Sequence, residues 1–126
     1  KMSLPFGIAF SRGILCNWLV VLAVWMAMAA EDIVSKIFAI FFPIMAFVAS
    51  GFEHSIANMY FMALGILLKN NEGLVSQAGL SSHSLDAISV SGFLNNIIPV
   101  TLGNIIGGVV FVALFYYLAY KDKFKA

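Results

Sequence analysis

Phe47-Val48-Ala49-Ser50-Gly51-Phe52-Glu53-His54-Ser55-Ile56-Ala57-Asn58-Met59 stands in the middle of an otherwise apolar stretch, residues 37–68, and its reading decides the fold. On either side the chain is apolar, and each flank has the length of half a bilayer crossing. The whole stretch is too long for one comfortable span of about 20 residues and too short for two spans with a turn between them. If it crosses a membrane, Glu53 and His54 lie near mid-depth. Backbone released from a helix cannot face lipid, so an interruption there must be buried in protein or line a water-filled cavity. A helix broken near the midplane is a recurring way for transporters to bring polar groups to a substrate.

Composition says that this stretch meets lipid. The 126 residues are 62% hydrophobic and 10% charged, with a mean hydropathy of +0.98. A soluble domain carries about 25% charged and ~45–50% apolar residues. A chain this small buries only about two-thirds of its unfolded surface, so the excess apolar area is left for the bilayer. The formal net charge of +1 gives no basic footprint for nucleic acid and implies no acidic partner. Cys16 is the single cysteine and can form no intrachain disulfide. Residue 1 is Lys, and no short apolar segment with a small-residue cleavage site precedes the first long one. The sequence therefore reads as a piece of a longer chain or a processed product, without a cleavable signal.

Working outward from the break, two further crossings are expected. Residues 13–30 are uncharged and contain Asn17, Trp18 and Trp25, after an amphipathic lead-in over 1–12. The short charged connector 31–36 makes the next helix run antiparallel. Residues 69–92 form a polar loop with Glu72, His83 and Asp86, and the last span is 93–120. In that span Gly103 and Gly107 have the GxxxG spacing, with Gly108 adjacent, which lets two helix backbones approach closely in lipid. Tyr116, Tyr117 and Tyr120 mark the interface. Lys121, Lys123 and Lys125 put the C-terminus in the cytoplasm, although Arg12 and Lys69 then fall on the opposite side.

An ionisable side chain near the bilayer centre costs ~2.5–3.5 kcal/mol on insertion scales, so it faces a pathway or a partner. Glu53 suits a structural part, capping the freed amides of the second half-helix, where a carboxylate meets the positive end of the helix dipole. His54 suits a functional one. No catalytic set forms around them: there is no His-Glu-x-x-His zinc helix, and a second intramembrane imidazole for haem is missing. The chain is not expected to be an enzyme or to hold a metal or cofactor. Asn17 and Asn104 offer donors and acceptors without charge, either as glue between helices or as support for a polar loop around a pore. Phe47, seven residues before His54, is either ordinary packing or a ring that gates by dewetting.

The string around Glu53 and His54 resembles the broken fifth helix of the formate/nitrite transporter family. Arg12-Gly13-Ile14-Leu15-Cys16-Asn17-Trp18-Leu19-Val20 and Ile98-Pro99-Val100-Thr101-Leu102-Gly103-Asn104-Ile105-Ile106-Gly107-Gly108 resemble flanking motifs of the same family, in the same order. The resemblance implies an all-α integral membrane fold, an aquaporin-like helical bundle. Residues 1–126 would be its C-terminal inverted repeat, with three spans and the middle one broken at 50–55. It further implies a homopentamer in the bacterial cytoplasmic membrane, completed by the N-terminal half of the same protein. Each protomer would pass a small monovalent anion such as formate, nitrite or hydrosulfide, and the hydrosulfide channel is the nearest member in general look. By motif, His54 would be the central pore histidine and Phe47 a constriction ring. Val20 would line the narrow region and Lys1 would be the basic residue near the pathway. Asn17, Glu53 and Asn104 would hold the discontinuous loop. Two other readings compete: a neutral-solute channel of aquaporin type, and a membrane anchor subunit of a respiratory enzyme.

Overall fold

The computed structural model describes residues 1–125 and, within them, every side chain except those of Ser82, His83, Phe124 and Lys125. The expectations that rest on the side chains of His83 and Lys125 lie outside the described residues. Helix α1 runs Phe6–Ala29, with Pro5 as its N-cap. A proline costs nothing at such a position, where its missing N–H would be unpaired anyway. The uncharged stretch predicts a span from residue 13. Nothing in 6–12 stops a helix once Pro5 has set its start, so α1 is longer.

A short link follows, and Asp32 caps helix α2 (Ile33–Ala49) by accepting from the Ser35 amide at 2.9 Å. That cap places the helix start ahead of residue 37. Hydrogen bonds from Ser35, side chain first and then backbone, hold the Asp32 carboxyl below its ordinary range. A lowered value in the folded state means that the cap stabilises above the usual carboxylate range and is lost as pH falls through the lowered one. Asp32→Asn, whose amide oxygen also caps but does not titrate, should melt with less acid sensitivity than wild type in a thermal series taken below pH 5.

At 1.5 Å per residue α2 spans ~25 Å and helix α3 (Ser55–Leu68) ~21 Å, so neither crosses ~30 Å of hydrocarbon alone. Between them the helix is interrupted. Ser50 closes α2 and Gly51 follows at φ 66°, in the left-handed region. The Gly51 N–H donates to Val48 O and the Phe52 N–H to Phe47 O, both at 3.1 Å. This pair of reversed bonds is the Schellman ending, which satisfies the last carbonyls and turns the chain aside.

Residues 69–89, expected as a polar loop, contain two short helices, α4 (Glu72–Gln77) and α5 (Ser82–Ala87). Asn71 and Ser81 cap them, and the Lys69 ammonium closes the excursion by donating to Ile88 O at 3.1 Å. Ser89 then caps helix α6 (Val90–Gly108). A π-helical stretch, Val109–Leu114, and helix α7 (Phe115–Tyr120) continue it without a break, giving a helical run Val90–Lys123 of 34 residues.

The glycine spacing does its packing between α1 and α6. A Cβ on Gly103 would drive into the Phe10 carbonyl, and one on Gly107 into the Ile14 carbonyl; one on Gly13 would sit 2.8 Å from Val100 O. Further along, Trp18 stacks on Phe111 with centroids 5.0 Å apart, and Trp25 lies 4.4 Å from Tyr116. The contacts advance in step, so the two helices run parallel. The buried seam contains Ala9, Cys16, Ala23, Val100 and Val112. Among the described residues α2 buries none of its own, and Phe38, Phe41 and Phe42 point outward.

Candidate functional site

The break is held by a side chain from another helix. Asn104 lies near the middle of the Val90–Lys123 run and is 6% exposed. Its Oδ1 accepts from the Ser55 amide at 2.9 Å. Its Nδ2 donates to Gly13 O at 2.9 Å and Glu53 O at 3.0 Å. Asn17 in turn donates from Nδ2 to the Asn104 backbone carbonyl at 2.7 Å. One uncharged amide thus joins α1, α6 and the break, supplying both the acceptor and the donors that a stopped helix requires.

Glu53 sits differently from the cap expected of it. Its carboxylate, 2% exposed, accepts from Lys1 Nζ at 2.9 Å through Oε1. Oε2 accepts from Asn58 Nδ2 at 2.6 Å and Asn96 Nδ2 at 3.3 Å. Asn58 Nδ2 also donates to Asn96 Oδ1 at 2.9 Å, and Asn96 Nδ2 to Lys1 O at 3.1 Å. The physical reason is competition for acceptors. The Ser55 and Ala57 amides of α3 already have Asn104 and His54, while a buried carboxylate needs a cation. Asn58 and Asn96 were not singled out from sequence. Two signals pointed to them: Asn96 lies eight residues before Asn104, hence on the same helical face, and Asn58 lies one turn after His54.

His54 is the residue that caps α3. Its Nδ1 accepts from the Ala57 amide at 3.3 Å. A nitrogen that accepts holds no proton, so the ring in this arrangement carries its hydrogen on Nε2. The imidazole is half-buried and stacks on Phe47, centroids 5.9 Å apart and planes 25° from parallel. It borders a cleft of about 480 Å³ shared with Asn17, Val21, Ser55, Thr101 and Asn104. Val20 is not part of this cleft. It lines another, of about 410 Å³, with Ala23, Val24, Ile40 and Ile44 of α1 and α2. Val20 and Val21 project about 100° apart around α1, and only Val21 turns to the Asn17 cleft. The structure therefore gathers Asn17, Phe47, Glu53, His54, Asn104 and Lys1 about the break and leaves Val20 apart. Among the described residues no cluster of His, Cys, Asp or Glu could hold a metal ion.

An all-α, membrane-spanning protein built around a discontinuous helix is the class that this fold and site define. Its sequence is matched over residues 1–118 by the family described as formate/nitrite transporter. It is 49% identical over 121 residues to a "Probable formate transporter" of Methanothermobacter thermautotrophicus, covering 96% of this chain and 38% of that one. Identity is 41% over 115 residues to the formate channel FocA of Escherichia coli K12, covering 89% of this chain and 40% of FocA. Among solved structures, a pentameric formate channel with formate bound superposes with a TM-score of 0.83 at 41% identity, covering 95% of this chain and 48% of that one. The chain belongs to the formate/nitrite transporter family. It spans about two fifths of the length of these curated relatives. They are channels or transporters, in line with the expectation that the chain is not an enzyme.

Proposed function

We propose that the protein carrying this chain is a multi-pass channel of the bacterial cytoplasmic membrane for small monovalent anions, with His54 at the point of passage. In this reading residues 1–126 are the C-terminal repeat of an aquaporin-like protomer, joined by an N-terminal half and assembled as a pentamer. The observation that carries it is the interruption at residues 50–54, which turns an imidazole toward a cleft while the adjacent carboxylate is paired away from it.

The parts then work as follows. Lys1 cancels the charge of Glu53, so that an approaching anion meets no bare carboxylate. Phe47, stacked on His54, acts as an apolar constriction that a hydrated ion crosses only at high cost. Asn17, Glu53 and Asn104 keep the interrupted backbone in place. Dry surroundings favour the neutral imidazole, and a neighbouring anion favours the charged one. Forming the charged ring takes a proton from water onto Nδ1 and forfeits its bond to Ala57, so only an anion at hand makes it favourable. The imidazolium pairs with the anion, or passes its Nε2 proton to an anion oxygen or sulfur. The second course leaves a neutral acid to cross and a neutral ring behind.

The test is flux into liposomes containing the full-length protein, with formate, nitrite and hydrosulfide each supplied across a pH series. Uptake of at least one of these anions well above protein-free vesicles is expected. Swelling with water or glycerol and no anion uptake would make it a neutral-solute channel instead. Visible absorbance from bound haem, or ultraviolet absorbance from bound quinone, without flux would make it a respiratory anchor.

A further inference from the structure

The first turn of α3 leaves one amide open. Ser55 N–H goes to Asn104, Ala57 N–H to His54 Nδ1, and Asn58 N–H to His54 O. The Ile56 N–H has no partner among the described residues. Ile56 lines the cleft beside His54, and so do Ser55 and Thr101. Ser55 is 7% exposed, and neither its hydroxyl nor that of Thr101 has a hydrogen-bond partner among the described residues. No buried side-chain polar atom lacks a partner among the described residues, so both hydroxyls open to the cleft, where an occupant that accepts hydrogen bonds can pair them.

The charges around it decide which kind. The groups left free there are mostly donors: the Ile56 amide, the two hydroxyls and the Nε2–H of His54, against one neutral acceptor, Asn17 Oδ1. The amide lies at the start of a 14-residue helix, where the dipole favours negative charge. The nearest carboxylate, Glu53, is committed to Lys1, Asn58 and Asn96. Asn104 has given both amide protons to backbone carbonyls, and Asn17 one of its two. A cation would find no free charged acceptor, and a small oxyanion would find four donors.

We propose that Thr101, with Ser55 and the Ile56 amide, forms an anion subsite on the α6 side of His54, and that the Thr101 hydroxyl is a specificity-determining contact there. This rests on the anion-channel reading above. The three groups named here all come from this chain, and none of them bonds to the Lys1–Glu53 pair.

Formate uptake by the full-length protein in liposomes, measured against formate concentration, tests it. Thr101→Val keeps the shape and removes the donor, and half-saturation should move up roughly tenfold, the order for a hydrogen bond to a charged group. Thr101→Ser should return it to within about twofold of wild type, as the hydroxyl is restored. Thr101→Ala repeats the test if the valine variant does not insert. Wild-type half-saturation in Thr101→Val or Thr101→Ala, with transport intact, overturns the subsite and leaves the channel standing. No formate, nitrite or hydrosulfide uptake by wild type itself removes both.

Discussion

Gly107→Leu is expected to leave no correctly folded protein. A Cβ at this position already runs into the Ile14 carbonyl of α1, and backbone cannot yield as a flexible side chain can. Relief requires α1 and α6 to separate, which opens the seam that buries Cys16 and Val100 and pulls Asn104 from its partners in α1 and the break. Without a hydrophobic force between helices in lipid, close packing is the main source of association that remains. Even Gly107→Ala should be strongly impaired. Gly7 is the control: a Cβ there meets nothing within 4 Å, and alanine should be neutral or stabilise α1 slightly, by up to about 1 kcal/mol. Size-exclusion of the detergent-extracted full-length protein separates the cases. Gly107→Leu should be aggregated or absent and Gly7→Ala should elute as wild type.

Asn104→Leu keeps the number and branching of side-chain heavy atoms and should cost about 3 kcal/mol or more, because three buried groups lose their partners at ~1–3 kcal/mol each. These are the Ser55 amide and the carbonyls of Gly13 and Glu53. The bond from Asn17 goes to the backbone carbonyl of residue 104 and survives, so the loss is local to the break and not a general parting of helices. Thermal unfolding of the full-length protein should show a clearly lower midpoint for Asn104→Leu. Hydrogen exchange should show lost protection at Ser55 first.

The break was legible because its residues violate the rule of the segment around them. A Ser-Gly pair followed by Glu-His in a lipid-exposed stretch has no helical explanation, and Gly51 supplies the left-handed residue that the ending requires. Asn17 and Asn104 stood out for the same reason. The partners of Glu53 were hidden by distance along the chain. Lys1 and Asn96 lie 52 and 43 residues away, and no local periodicity links them to position 53. The positive end of the α3 dipole suits a carboxylate, but Glu53 goes to Lys1, Asn58 and Asn96, while Asn104 and His54 take the Ser55 and Ala57 amides. Helices α1 and α2 start at Phe6 and Ile33, ahead of the polar residues that suggest boundaries near a bilayer surface, because Pro5 and Asp32 set the starts. The helices at 72–77 and 82–87 were missed because six residues give no usable period.

Everything proposed for passage depends on the ring at position 54 meeting the anion and changing its charge there. The direct measurement is the pH dependence of formate uptake by full-length wild type and His54→Asn. Asparagine can still accept from the Ala57 amide and cap α3, so the fold is kept while titration is removed. A flattened pH profile in the variant is the predicted result. A profile that coincides with wild type at every pH would reduce the imidazole to a helix cap.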